Sequence, residues 1–332
     1  MSQKAIKVET SEITSAVFGC FDANVKEIER AFAVNISNRR ADDGDAIVID
    51  GEDPALAERV LKHLCAVARA GGEISDQTVS YAIDMVKAGE GESLSASFGE
   101  DCIFITSKGK PIKPKTVGQK QYVEAIKKNT VVFGVGPAGT GKTYLAVAMA
   151  VKALREKKVS RIILTRPAIE AGEKLGFLPG DLQSKIDPYL RPLYDALYEM
   201  MGVENYQRQL EKQVIEIAPL AYMRGRTLDD SFIILDEAQN ATPEQMKMFL
   251  TRLGFNSKAV VTGDLTQTDL PSGQKSGLAT AVHILAGIDD IAIHQFSDRD
   301  VVRHKLVQKI IVAYEKYENE RKEFNQNRIN KK

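Results

Sequence analysis

The chain has 332 residues, 43% of them hydrophobic, enough to bury a sizeable core as one large domain with smaller additions. Its 45 basic and 45 acidic residues cancel to a formal net charge of +0, so no whole-molecule positive field draws in nucleic acid and any such contact has to be local. The three cysteines, Cys20, Cys65 and Cys102, lie far apart with no CxxC pair and no set of His partners at zinc-ligand spacing, which argues against a disulfide framework and a zinc site and points to a reducing compartment.

The N-terminus, "MSQKAIKVETSEITSAVFG", has no apolar core of signal-peptide length, and no later run approaches the ~20 residues of a membrane-spanning helix. The expectation is a cytoplasmic protein with no membrane segment. Short β-like runs "AIKVE", "VNIS" and "AIVID" mix with helical patterns "NVKEIERAFA" and "PALAERVLKHLCAVARA", which predicts a small α+β domain over 1–88. Asp53-Pro54 suits the start of the second helix, and Gly71-Gly72 its end. A further helix, "SDQTVSYAIDMVKAG", stops at Gly89. The small, polar stretch "EGESLSASFGED", then a short strand "CIFIT" and the basic segment "SKGKPIKPK", are read as a linker and basic loop over 89–114.

From residue 115 the chain alternates β and α. The apolar runs "TVVFGVG", "RIILTR", "VIEIAP", "FIILDE", "AVVTGD" and "IAIHQF" lack polar alternation, as expected of parallel strands covered on both faces by helices. This predicts a doubly wound α/β domain with a mostly parallel sheet over 115–315. Beyond it, 316–332 loses its apolar spacing and is read as a frayed or disordered tail.

"GPAGTGKT", formed by Gly136, Pro137, Ala138, Gly139, Thr140, Gly141, Lys142 and Thr143, fits the P-loop pattern and stands between a strand and a helix. Its glycines let backbone amides turn toward a β-phosphate, Lys142 suits the β- and γ-phosphates, and Thr143 suits Mg²⁺. In "FIILDEAQN", four apolar residues deliver Asp236 and Glu237 to the carboxyl end of a strand. Asp236 is the expected Mg²⁺ acid, and Glu237 the group that orients an attacking water. Gln267, in "TGDLTQTDLP", is placed to sense a γ-phosphate, and Gln119, in "TVGQKQYVEAI", to read the edge of adenine. Together these residues favour hydrolysis of ATP over its mere binding.

These pieces, in the order Gln119, "GPAGTGKT", "ILTRPAIEAGEKLGFLPGDLQSKIDPYLRPLYDAL", "YMRGRTLDDSFIILDEAQNATPEQMKMFLTRLG", "TGDLTQTDLP" and "DVVRH", resemble the PhoH-like ATPase family over about residues 115 to 315. That family looks like the first motor domain of superfamily 1 helicases. The resemblance implies an α/β P-loop NTPase fold, ATP and Mg²⁺, and a cytoplasmic bacterial protein acting on RNA near an endoribonuclease and the ribosome. Residues 1–88 resemble the KH-like module of the same family. Its G-x-x-G loop corresponds to "GCFD", where Asp22 replaces the second glycine and would repel phosphate, while Lys26, Arg39 and Arg40 remain as partners for a nucleic-acid backbone.

Helicases place a second motor domain after the first, and here a short helical tail follows the last strand. The expectation is that a neighbouring copy completes the site with an arginine, in a ring-like homo-oligomer such as a hexamer; Arg166, Arg191, Arg224, Arg226 and Arg303 are the candidates. The leading reading is an ATPase coupled to single-stranded RNA. The competing reading is an ATP-switched scaffold for an endoribonuclease or ribosomal partner without unwinding activity, and "DEAQ" argues against a small-molecule kinase.

Overall fold

The structure, a computed structural model, describes residues 2–41, 44–69, 74–89, 102–167, 182–271, 273–302 and 310. The chain divides into two compact units, Met1–Gly99 with Val302–Lys332, and Glu100–Val301. The tail read over 316–332 lies outside the described residues, as do Arg303, the "AIEAGEKLGFLPGD" loop and the side chain of Arg40.

The first unit runs β1 (Ser2–Val8), α1 (Ser11–Phe18), α2 (Ala23–Phe32), β2 (Val34–Ala41), β3 (Gly44–Gly51), α3 (Ala55–Arg69) and α4 (Asp76–Lys87). Its strands form an antiparallel sheet in the order β1-β3-β2. Along β1, Ile6 and Val8 are buried while Ser2, Ala5 and Lys7 are exposed, the period-2 pattern of a sheet with one covered face. Val17, Val25, Ile28, Leu61 and Leu64 supply the apolar side of the helices.

The sequence order of strand, helix, strand, strand, helix gains one helix, α1. "SEITSAVF" is rich in Ser, Thr and β-branched residues that weaken a helical pattern. It folds as a helix because the Thr10 side chain accepts from the Ile13 amide at 3.4 Å, with Thr14 and Val17 buried. Its end at Gly19 places "GCFD" between two helices, with Phe21 (φ 53) and Asp22 (φ 60) in the left-handed region.

The second unit begins earlier than the sequence places it. Residues read as linker form a hairpin of β4 (Phe104–Ile105) and β5 (Pro111–Ile112), whose buried neighbours Ile103 and Ile112 belong to the main core. The lysines of "SKGKPIKPK" disguise Ile112, whose strand pairs with the one read in "CIFIT". The unit continues with α5 (Val117–Lys128), β6 (Val131–Val135), α6 (Lys142–Arg155), β7 (Arg161–Arg166), α7 (Leu182–Met201), α8 (Val203–Glu211), β8 (Ile215–Pro219), β9 (Ser231–Leu235), α9 (Pro243–Leu250), β10 (Lys258–Gly263), α10 (Gly277–Ile284) and β11 (Ile291–Gln295). The six strands form an all-parallel sheet in the order β11-β6-β10-β9-β7-β8.

Neighbouring residues of each central strand feed opposite cores. Val132, Ile162, Leu164, Phe232, Ile234 and Val260 pack with α5, α6 and α7, whereas Phe133, Ile163, Ile233, Leu235 and Val261 pack with α9 and α10. That double burial is why the strands read as continuous apolar runs. The chain leaves β6 toward β7 on one side and returns to β11 on the other, so the order reverses at β6. Ligands of open α/β sheets bind at the carboxyl edge beside such a reversal. Among the described residues, no helix is long and apolar enough to cross a membrane.

Gly134 sits mid-strand in β6, where a Cβ would lie 2.7 Å from the Tyr122 ring, and Tyr122 is fully buried. Gly134→Ala is expected to destabilise the unit by about 1–3 kcal/mol through overpacking, read by urea unfolding. Combining it with Tyr122→Leu should recover part of that loss, as a coupling of at least about 0.5 kcal/mol in the double-mutant cycle.

Candidate functional site

β6 ends at Val135 and α6 begins at Lys142, and the turn between them relies on conformations that side chains disfavour: Gly136 (φ 148), Gly139 (φ 85) and Gly141 (φ 80). At Gly136 a Cβ would meet the Phe296 carbonyl oxygen at 2.7 Å, so the loop can pass only as glycine. The Gly136 amide donates to the Gly263 carbonyl at 3.1 Å, which ties the loop to the end of β10. Thr140 is fully buried and its hydroxyl donates to the Pro137 carbonyl at 3.0 Å, closing the turn from inside. Pro137, Ala138 and Gly139 are half-buried along its rim.

Lys142 folds back over the loop, donating to the carbonyls of Gly136 at 2.6 Å and Pro137 at 2.7 Å. Those carbonyls hold the ammonium where an anion cradled by the loop would meet it. Thr143 donates its hydroxyl to Asp236 Oδ1 at 2.6 Å, bringing together the two groups expected to hold Mg²⁺. A hydroxyl beside a carboxylate at a phosphate cradle is the hard-oxygen donor set that this cation takes, so the residues fit it.

Asp236 follows β9 and is 2% exposed. Besides Thr143, Oδ1 accepts from the Thr262 hydroxyl at 2.7 Å, and Oδ2 accepts from Arg166 Nε at 2.7 Å and from Arg166 Nη2 closer still. Its amide donates to the Thr165 carbonyl at 2.9 Å. The charge reaches beyond its own partners: burial holds the Tyr122 hydroxyl well above the usual tyrosine range, and Asp236 adds to the effect.

Glu237 is held differently. Its backbone is left-handed (φ 52), its side chain is half exposed, and Gln239 Nε2 donates to its Oε2 at 2.6 Å. Gln239 is itself buried and accepts the Asp264 amide at 3.0 Å through Oε1, so one amide links the carboxylate to the end of β10. A strained, tethered and accessible carboxylate beside a phosphate loop is suited to accepting a proton from a bound water.

The structure thus gathers Lys142, Thr143, Asp236 and Glu237. Gln119 stands elsewhere in the scheme. It is 4% exposed, its Oε1 accepts from the Lys115 amide at 2.7 Å, and its Nε2 donates to the Thr140 carbonyl at 2.9 Å. Both ends of the amide are engaged, so Gln119 braces the phosphate loop, and reading adenine requires it to release a bond. Gln267 is exposed, and its backbone amide donates to the Asp264 carbonyl at 3.2 Å, leaving its side chain outside the cluster.

Of the expected arginines, Arg166 lies in its own chain's site. Arg226 pairs with Glu216 at 2.7 Å, and Arg191 and Arg224 are exposed. Sequence reasoning did not single out Thr262 and Gln239. Thr262 carried a signal, as a polar residue inside an apolar strand; Gln239 carried none beyond standing two residues after Glu237.

Residues 111–315 match the family described as PhoH-like protein. The chain is 54% identical over 312 residues to a PhoH-like protein of Bacillus subtilis, covering 93% of this chain and 96% of that one. It is 55% identical over 309 residues to a PhoH-like protein of Mycobacterium tuberculosis, covering 92% and 86% respectively. Among solved structures, a Sulfolobus solfataricus SWI2/SNF2 ATPase core in complex with dsDNA overlaps 43% of this chain and 30% of its own, at 18% identity and a TM-score of 0.30.

The geometry separates binding from turnover. ATP at about a hundred times its dissociation constant should stabilise the wild type by about 2.7 kcal/mol, and Lys142→Ala should lose most of that shift in thermal unfolding. Glu237→Gln should keep the shift and lower turnover by about 10²- to 10⁴-fold, measured as phosphate release. Gln239→Leu, which frees Glu237, should keep binding and lower turnover by up to about 10²-fold in the same assay.

Proposed function

The chain belongs to the PhoH-like family, and from that premise we propose that it hydrolyses ATP to ADP and phosphate in a cycle coupled to RNA in the cytoplasm. The observation that carries the ATPase half is the convergence of Lys142, Thr143, Asp236 and Glu237 at the carboxyl edge of one parallel sheet.

The steps follow from what each group already does. Lys142 exchanges two neutral carbonyls for phosphate oxygens, a stronger charge-assisted pairing. The P-loop amides and the first turn of α6 add partial positive charge to the same anion. Thr143 and Asp236 would hold Mg²⁺, which when bound neutralises charge on the phosphate oxygens. Glu237, held by Gln239, orients a water and takes its proton as the water attacks phosphorus. Thr262, at the end of β10, keeps Asp236 aimed through Oδ1.

Family resemblance and local charge support the RNA half. Lys108 and Lys115 are exposed on the basic stretch before α5, while Lys110 pairs with Glu199 at 3.1 Å. Lys115 lies next to the nucleotide machinery, since its amide is bound by Gln119. In the first unit, Phe21 is 93% exposed on the loop between α1 and α2, and Arg39 is exposed on β2. Scattered lysines, with exposed rings such as Phe21, Tyr222 and Phe255 far apart in the chain and not in a run, favour backbone contact over base readout.

The test is steady-state phosphate release with and without single-stranded RNA across a salt series. RNA should stimulate turnover at low salt, and the stimulation should fall as salt rises because phosphate contacts release counterions. Turnover indifferent to RNA, together with affinity for an endoribonuclease or ribosomal partner that differs between ATP and ADP, would replace the RNA reading with a nucleotide-switched scaffold.

A further inference from the structure

Arg166 is the last residue of β7, a neighbour of β9 in the sheet, and its side chain is 14% exposed. Its guanidinium meets Asp236 Oδ2 with two donors, Nε and Nη2, and Nη2 also lies 3.9 Å from Glu237 Oε1. The arginine therefore stands between the acid assigned to Mg²⁺ and the acid assigned to water.

Asp236 has no acceptor position to spare. A carboxylate offers about four, and Thr143 and Thr262 use Oδ1 while the two Arg166 donors use Oδ2. A divalent cation, or a water of its shell, can reach this carboxylate only by taking the Arg166 positions, and two cations on one carboxylate repel each other. The hydroxyls can stay, because a Thr143 oxygen that ligates a metal still has its hydrogen to donate. Oδ1 thus remains fixed by Thr143 and Thr262 when Oδ2 is released, and the arrangement suits an exchange of partners.

A displaced guanidinium in a partly buried site needs another anion. Glu237 Oε1 is near but is half exposed and tethered by Gln239. The anion that arrives with the metal is the terminal phosphate, held by Lys142 beside the same two acids. Building on the ATPase reading above, we propose that Arg166 is a partner-exchanging residue of the site: it neutralises Asp236 before nucleotide binds, and passes to the γ-phosphate in its own chain when Mg²⁺ and ATP occupy the site. It then does in cis what an arginine from a neighbouring copy was expected to do in trans. Lys142 behaves in parallel, parked on loop carbonyls in the same structure.

The test uses the full chain, with equilibrium binding of ADP and of the slowly hydrolysed analogue adenosine 5′-(β,γ-imido)triphosphate, each titrated with Mg²⁺. Wild type, Arg166→Gln and Arg166→Lys are compared, and thermal unfolding checks that each is folded. In Arg166→Gln, the Mg²⁺ concentration giving half-maximal ADP binding should fall several-fold, because the competing cation is gone. The preference for the triphosphate analogue over ADP should fall by about tenfold or more, the scale of one lost hydrogen bond to a charged group.

An unchanged Mg²⁺ midpoint, or an unchanged triphosphate preference in a folded variant, overturns the proposal. If Arg166→Gln does not fold, Arg166→Lys decides: it keeps a cation but loses the two-pronged contact, so the triphosphate preference must still drop. Phosphate release from a mixture of Arg166→Gln and Lys142→Ala chains separates cis from trans. Recovery of turnover would mean that one chain lends its arginine to another and would overturn the cis assignment, whereas a mixture as slow as its components supports it. A wild type that binds neither nucleotide would refute the ATPase reading itself, an outcome distinct from binding that is indifferent to Arg166.

Discussion

A carboxylate that is 2% exposed must have its charge answered by protein groups, and Asp236 imposes that demand on the whole carboxyl edge of the sheet. Its partners come from three places in the chain: Thr143 at the start of α6, Arg166 and Thr165 at the end of β7, and Thr262 near the end of β10. Each of those strands has to end at the right height for the charge to be paired. The strand order makes this possible, because β10 lies between β6 and β9 and presents Thr262 toward the acid on its neighbour. Removing one partner leaves a buried charge short of a donor, so the site and the fold share their stability.

The same edge stores strain where Asp236 gives way to Glu237. A glutamate at φ 52 sits in a region that non-glycine residues avoid, and such conformations persist only when their surroundings over-determine them. Gln239 supplies that constraint, with its amide shared between Glu237 Oε2 and the Asp264 backbone. Space is equally limited there, since a Cβ on Gly263 would approach Gln239 Oε1 to 2.7 Å. The loop after β10, which carries Gln267, is thereby linked mechanically to the carboxylate that faces water.

The large unit was legible because both faces of its sheet are covered, which leaves six uninterrupted apolar runs, and because each strand end carries the polar residues of the site. "GPAGTGKT" stands between a strand and a helix, and "FIILDEAQN" runs off the end of a strand, where the same apolar runs put them. Helix α1 was not legible: its serines and threonines carry a weak helical signal, and its packing against the rest of the first unit overrides that weakness. The second strand of the β4–β5 hairpin was hidden by lysines around the buried Ile112, although the first was read from "CIFIT". Partner choice was the least legible property. Sequence placed Gln119 near the site, offered Arg166 only as an arginine lent to a neighbouring copy and passed over Gln239, because whether an amide faces a base or a backbone carbonyl depends on groups far away in sequence.

Gln119 shows how far that dependence runs. The turn at Ser297–Asp300 lies beyond β11, yet Asp300 is 6% exposed and accepts the Thr116 hydroxyl at 2.7 Å at the start of α5. A Cβ on Gly118 would collide with the same carboxylate, so the turn presses closely on the helix. Thr116 caps α5 by accepting the Gln119 amide at 3.1 Å, and Gln119 carries the contact on to the Thr140 carbonyl in the phosphate loop. Asp300 also accepts from the Ser297 amide at 3.0 Å, which fixes the turn itself. Buried polar groups thus run from the end of β11 to the P-loop without a solvent-exposed gap, and a fully satisfied run of this kind is rigid. The phosphate loop is consequently held from two sides, by the Gly263 carbonyl at the end of β10 and by Gln119 from α5. Its anchors are backbone and buried groups of the rigid elements, whereas Lys142 and Arg166, the groups proposed to exchange partners for phosphate, are side chains attached to the ends of those elements.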